Sequence, residues 1–170
     1  FVLPRETIGD DAERIVFQSD NAVENTFRSK GNPDQWRERV SALCVGNSRL
    51  VFAVACAFAG PLLRPSGMES GGFHYRGDSS SGKTTALRAA ASVYGGASFL
   101  QTWRATDNAL EATAAQRNDC TIILDELAQV EAKSVGEVVY MLANGQGKAR
   151  AGRTGTPRPV TKWQMLILSS

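Results

Sequence analysis

Gly77-Asp78-Ser79-Ser80-Ser81-Gly82-Lys83-Thr84 satisfies the pattern G-x-x-x-x-G-K-[ST] at every required position. The pattern has a physical basis. Its glycines let the backbone curl so that successive N–H groups converge on an anion. A helix starting at the last residues adds the positive end of its dipole. Lys83 supplies a mobile cation for β- and γ-phosphates, and the Thr84 hydroxyl a coordination position for Mg²⁺. Context supports this reading over a Ser/Gly turn with an incidental lysine. Gly72-Phe73-His74-Tyr75-Arg76 is short, aromatic and alternating, as a strand can be. Residues 84–94 are alanine-rich and stop at Gly95-Gly96, as a helix does. The expected nucleotide contacts are therefore Gly77, Asp78, Ser79, Ser80, Ser81, Gly82, Lys83, Thr84 and Thr85.

About 40 residues downstream, Thr121-Ile122-Ile123-Leu124 is an apolar, β-branched run ending in Asp125 and Glu126. Such a run reads as a buried parallel strand, and ligands of open parallel sheets sit at the carboxyl ends of strands. Asp125 is placed to hold Mg²⁺, and Glu126 to orient or deprotonate an attacking water. Alone, the pair could be two solvated acids. Small-molecule kinases and signalling GTPases usually lack the second acid, whereas ATP-hydrolysing motors commonly have it. Met165-Leu166-Ile167-Leu168 reads as a further buried strand with Ser169 or Ser170 as a polar tip that senses the γ-phosphate; Ser169 is the assigned contact. His74, the single histidine, reads as a packing or hydrogen-bonding residue.

The remaining chain frames that site. One hundred and seventy residues suit one domain with a full core. Cys44, Cys56 and Cys120 show neither metal-ligand spacing nor a disulfide framework, which points to a reduced, cytoplasmic setting. Residues 1–5 lack the pattern of a signal peptide. Residues 14–18 read as a short strand, Asn32-Pro33-Asp34 as a turn or helix start, and 35–45 as a helix. Residues 50–59 form a ten-residue apolar run, too short for a membrane span of ~20 residues, and read as a helix buried on all sides. Residues 65–71 form a linker, and 98–103 a second strand. A helix over 107–117 carries Asn108 and Glu111 at capping-box spacing. The cluster Trp103, Arg104, Thr106, Asp107 and Asn108 could face ligand or cap that helix, capping being favoured. Another helix, 134–143, carries Val135, Val138, Val139 and Leu142 on one face. Alternating strands and helices imply an α/β fold with a mainly parallel sheet.

Charge is uneven. No acid follows Glu137, while Lys148, Arg150, Arg153, Arg158 and Lys162 do. Residues 144–158 are glycine-rich and basic. A hairpin there could bring Lys148, Arg150 and Arg153 to nucleic-acid phosphates. A solvated loop, or an arginine reaching a neighbouring subunit's γ-phosphate, would read the same.

Residues 73–85, 102–111, 124–126 and 144–150, with the apolar segment 47–63, resemble domain-of-unknown-function family 927. That family occurs in bacterial and phage proteins, often joined to primase modules and associated with helicases. The resemblance implies a P-loop NTPase core of RecA/AAA+ type, similar to superfamily 3 helicases. There the sensor strand lies between the phosphate-loop strand and the Asp-Glu strand, and a basic hairpin before it grips DNA. It carries over Lys148, Arg150 and Arg153 as hairpin candidates. It further implies a homo-oligomeric ring. The family pattern continues past Ser170, so a later strand, an arginine finger or a second sensor falls outside the sequence. The expected organisation is an N-terminal strand and helical segment, 1–66, packed on an ATPase core, 67–170. The expected function is ATP binding and Mg²⁺-dependent hydrolysis in a DNA helicase or translocase acting on single-stranded DNA, in phage or mobile-element replication. The rivals are a nucleotide-dependent switch or assembly module, and a phosphotransferase.

Overall fold

The computed structural model describes residues 2–3, 7–9, 15, 25–129, 132–151 and 159–170. The strand expected over 14–18 lies outside them except for Ile15.

Strand β1 (Gly71–His74) precedes the glycine-rich loop, and α4 (Lys83–Ala91) follows it. Then come β2 (Gln101–Thr102), α5 (Asp107–Gln116), β3 (Thr121–Asp125), α6 (Ala132–Asn144) and β4 (Leu166–Ser169). The four strands form one sheet in the order β1-β4-β3-β2, every pair parallel. β4 thus lies between β1 and β3, where the resemblance places it.

Residue alternation divides the core into two layers. Ile123 of β3 and Leu166 and Leu168 of β4 face one side, with Leu87, Ala90 and Phe99. Ile122, Leu124 and Ile167 face the other, with Leu110, Ala114, Val138 and Leu142. β3 is buried at all five positions, which its uninterrupted apolar run requires.

The helix α3 (Ser48–Ala59) is capped by Asn47, whose side chain accepts from Leu50 N. It is not buried on all sides as its composition suggests. Ala53, Cys56 and Ala57 pack onto the α4 layer, while Val51, Phe52 and Phe58 remain 49%, 40% and 52% exposed. Small side chains permit close approach to α4, so the larger ones turn outward. Phe52 meets the Phe73 ring edge-on at 4.9 Å, and Phe58 meets Trp36 at 6.0 Å.

Four further expectations need correction. The helix expected over 35–45 starts earlier, as α1 (Pro33–Trp36), because Asn32 and Gln35 form a capping box. It continues through a π turn, Arg37–Ser41, into α2 (Ala42–Cys44). The helix after the loop ends at Ala91, before a turn. The second strand is only two residues long. Before it, Gly96–Phe99 coils as a 3₁₀ turn, which drives Phe99 into the core. There the Arg117 guanidinium stacks 3.3 Å from the Phe99 ring centroid and donates to Phe99 O at 3.2 Å. Fourth, on the helical face expected to be apolar, Val138 and Leu142 are buried but Val139 is 39% exposed. Among the described residues no helix is long and apolar enough to cross a membrane.

Candidate functional site

A cleft of about 760 Å³ opens at the carboxyl ends of β1, β4 and β3. Gly77, residues 79–85, Asp125 and Glu126 line it. Of the expected contacts, Asp78 and Ser169 do not. The local chain explains the cradle. Gly82 caps α4 at φ +86°, in the left-handed region that glycine tolerates, and no side chain caps this helix start. Ser80 also has positive φ, 61°. Among the described residues none accepts a hydrogen bond from the N–H groups of residues 79–82. These donors and the first turn of α4 therefore face the cleft as an anion nest.

The Lys83 ammonium donates to Gly77 O at 2.8 Å and Asp78 O at 2.7 Å. Main-chain oxygens hold it over the loop, and among the described residues it has no carboxylate partner, so an incoming anion need not displace an ion pair. Asp78 serves here through its carbonyl.

Asp125 is 6% exposed. Its Oδ1 accepts from Glu126 N at 2.9 Å and from the Ser170 hydroxyl. Its Oδ2 carries no hydrogen bond and is not sealed from solvent. Glu126 stands at φ +66°, a strained conformation for a non-glycine residue. Strain of this kind persists where surrounding contacts enforce it, and it concentrates at functional sites. Here the Glu126 N–H and the flanking bonds Leu127 N to Ser170 O, 2.9 Å, and Ser170 N to Leu124 O, 3.1 Å, enforce it.

The two C-terminal serines divide. Ser170 lines the cleft beside Asp125. Ser169, 4% exposed, turns to His74 Nδ1 at 2.9 Å, its register partner on β1. His74 itself lines the cleft, as do Arg76 and Gln129. Sequence reasoning missed Arg76 and Gln129, which carry no motif signal; their neighbours in the chain were the only pointer.

The basic segment begins and ends as a hairpin. Gln146 and Lys162 form an antiparallel bridge, and Gly147 N donates to Thr161 O at 2.8 Å. Two of its cations, Lys148 and Arg150, are engaged within the protein. Lys148 Nζ meets Asp107 Oδ2 at 2.9 Å, and Asp107's hydrogen bond and charge push the lysine pKa up. Arg150 meets Glu111 Oε2 at 2.8 Å and Asn108 Oδ1 at 2.7 Å. Arg153 lies outside the described residues. The capping box expected from Asn108 and Glu111 is absent. Thr106 caps α5 by accepting from Ala109 N at 3.3 Å, and Asn108 and Glu111 instead hold the basic arm. Gly147 makes that approach possible, because a Cβ there would collide with the Glu111 carboxylate.

The donor set can be tested against a nucleoside triphosphate and Mg²⁺. The open N–H groups and Lys83 fit a phosphate chain. Thr84 and Asp125 line the same cleft and offer two oxygens. Among the described residues no group of three or more His, Cys, Asp or Glu side chains could hold a metal by itself. Mg²⁺ keeps waters and phosphate oxygens and needs one or two protein ligands, a number the two oxygens of Thr84 and Asp125 can supply.

No curated protein matches this chain. A family model does, over residues 1–162. The chain belongs to the family described as domain of unknown function DUF927, and the loop, the Asp-Glu pair and the basic arm up to Lys162 all fall within the matched residues.

Proposed function

We propose that this chain is a P-loop NTPase domain of RecA/AAA+ type that binds and hydrolyses ATP, acting in a DNA helicase or translocase. One observation carries the reading. The open start of α4, the Lys83 ammonium and the strained Glu126 next to a buried Asp125 converge on a single cleft. A plain surface turn needs none of these.

The residues take separable roles. The N–H groups of residues 79–84 and Lys83 bind and orient the phosphates. Thr84 and Asp125 would hold Mg²⁺, which when bound neutralises charge on the phosphate oxygens. Ser170 donates to Asp125 and fixes that carboxylate's orientation. Glu126, exposed at the cleft, positions a water and accepts its proton as the water attacks the terminal phosphorus.

The test is ATP turnover by wild type and Glu126→Gln, with and without single-stranded DNA. The expected result is turnover stimulated by DNA and reduced about 10²–10⁴-fold by the substitution, with ATP still bound. Tight ATP binding without turnover in either condition refutes the motor reading.

A second reading, a nucleotide-dependent switch or assembly module, draws on the basic arm. Lys148 and Arg150 pair with Asp107 and Glu111 rather than projecting outward. DNA affinity that falls steeply with salt and is lost in Lys148→Ala/Arg150→Ala would exclude it.

A further inference from the structure

The cleft has a direction. Asp125, Glu126 and Ser170 stand at its β3–β4 side. At the opposite, β1 side a second cavity of about 190 Å³ opens between the loop and the start of α3. The two share Tyr75, Arg76, residues 81–83 and Thr85 as lining, so they adjoin at the loop. Under the phosphate-loop reading, a triphosphate whose terminal phosphate lies beside Glu126 would have this adjoining cavity open to its nucleoside.

Its wall has a distinctive chemistry. Beyond the loop, Asn47, Arg49, Tyr75 and Arg76 supply its polar side chains and Leu50 and Ala86 its apolar ones, and among the described residues no Asp or Glu lines it. The Tyr75 hydroxyl donates to Arg49 O at 2.7 Å, which fixes the start of α3 against the end of β1. The Asn47 side-chain oxygen is engaged by Leu50 N at 3.2 Å, leaving its amide N–H groups. The Arg49 and Arg76 guanidiniums have no partner among the described residues. The wall therefore offers hydrogen-bond donors and planar cations. Adenine and guanine both present N7 as an acceptor, and guanine adds O6, which an arginine fork engages together with N7. The exocyclic amine of adenine, a donor, meets no carboxylate here.

We infer that Arg49, with Asn47, forms the base subsite of this nucleotide site and takes a purine, guanine at least as readily as adenine. The inference rests on the phosphate-loop reading above.

The experiment is calorimetric titration with the β,γ-imido analogues of ATP and GTP and with inorganic tripolyphosphate, which has no nucleoside. Mg²⁺ is present throughout. Wild type should bind both analogues, the GTP analogue at least as tightly as the ATP analogue, and Arg49→Ala should weaken both about tenfold. Tripolyphosphate affinity should stay within about twofold, since a half-ångström-scale change in the cradle is not expected from an exposed side chain. Arg49→Lys should remain weakened, because an ammonium lacks the planar fork. Equal weakening of tripolyphosphate, or full rescue by lysine, would reduce Arg49 to a distant charge and overturn the subsite. A preference for the ATP analogue above about threefold would overturn the base assignment. Lys83→Ala separates the two layers of the argument: it should weaken all three ligands. If it leaves tripolyphosphate unaffected, or if wild type binds none of the three, the phosphate-loop reading fails and the subsite with it.

Discussion

Removing the Arg150 side chain strands a buried charge. Glu111 has a side chain only 7% exposed, and its carboxylate is answered by Arg150 at 2.8 Å. Arg150 is itself 48% exposed. A fully buried pair broken on one side costs ~3–5 kcal/mol, and an exposed one ~0–1 kcal/mol. The half-exposed arginine lets water follow into its place, so Arg150→Ala should cost about 2 kcal/mol. For a chain of 170 residues at ~2.1 cal/mol/K per residue, that lowers Tm by about 6 °C. Glu111→Gln leaves the arginine to solvent and should cost about half as much. Because the neutral amide no longer needs a cation, the double variant should be destabilised by about 1 kcal/mol less than the sum of the single ones. Thermal melts of the four proteins, followed by circular dichroism, close the cycle. A Tm change below about 1 °C for Arg150→Ala, or additive losses, would refute the claim that α5 fastens the basic arm.

Two other outcomes follow from the geometry. Burial pushes the Cys56 and Cys120 thiols up to about 11. The folded protein thus keeps protons that the unfolded chain releases near 9.0, and this stabilisation is whole below pH 9 and lost as pH rises through 11. Burial lowers Arg117 to about 10, so the cost of its buried charge is relieved only above that pH. Tm should therefore fall from pH 9 to 10, and Cys56→Ala/Cys120→Ala should flatten the fall; an unchanged slope would assign it elsewhere. At the cleft, Ser170→Ala should reduce ATP turnover by about tenfold through loss of Asp125 orientation, as loss of a supporting hydrogen bond does at other sites, while Ser169→Ala should stay near wild type. The opposite ranking in a steady-state assay would place the sensing hydroxyl on Ser169.

Much of the site was legible because its parts are local. The loop spacing and the Asp-Glu step each lie within eight residues, and each requires its residue types for a reason of backbone geometry or charge. The two serines were not separable. Which of them meets Asp125 depends on the register of β4 between β1 and β3 and on where the chain leaves the sheet. The capping assignment failed for a related reason. Asn108 and Glu111 carry the right spacing for a local bond, but a cation some 40 residues away in the chain outbids it: Arg150 meets both. Helix α3 misled through composition, since an all-apolar run does not say which of its sides the sheet covers.

By itself the sequence determined the alternation of strands and helices, the glycine-rich loop between β1 and α4, and the two carboxylates at the end of β3. These follow from periodicity and from short-range geometry that no partner element has to supply. Only the tertiary structure decided that Ser170 rather than Ser169 serves Asp125, that Glu126 is held in a strained backbone conformation, and that Lys148 and Arg150 are tied to α5. It also decided that a second cavity, bounded by Asn47, Arg49, Tyr75 and Arg76, adjoins the cleft beside α3. Each of these depends on the register between strands or on a contact between segments distant in sequence, and pattern within one segment carries neither.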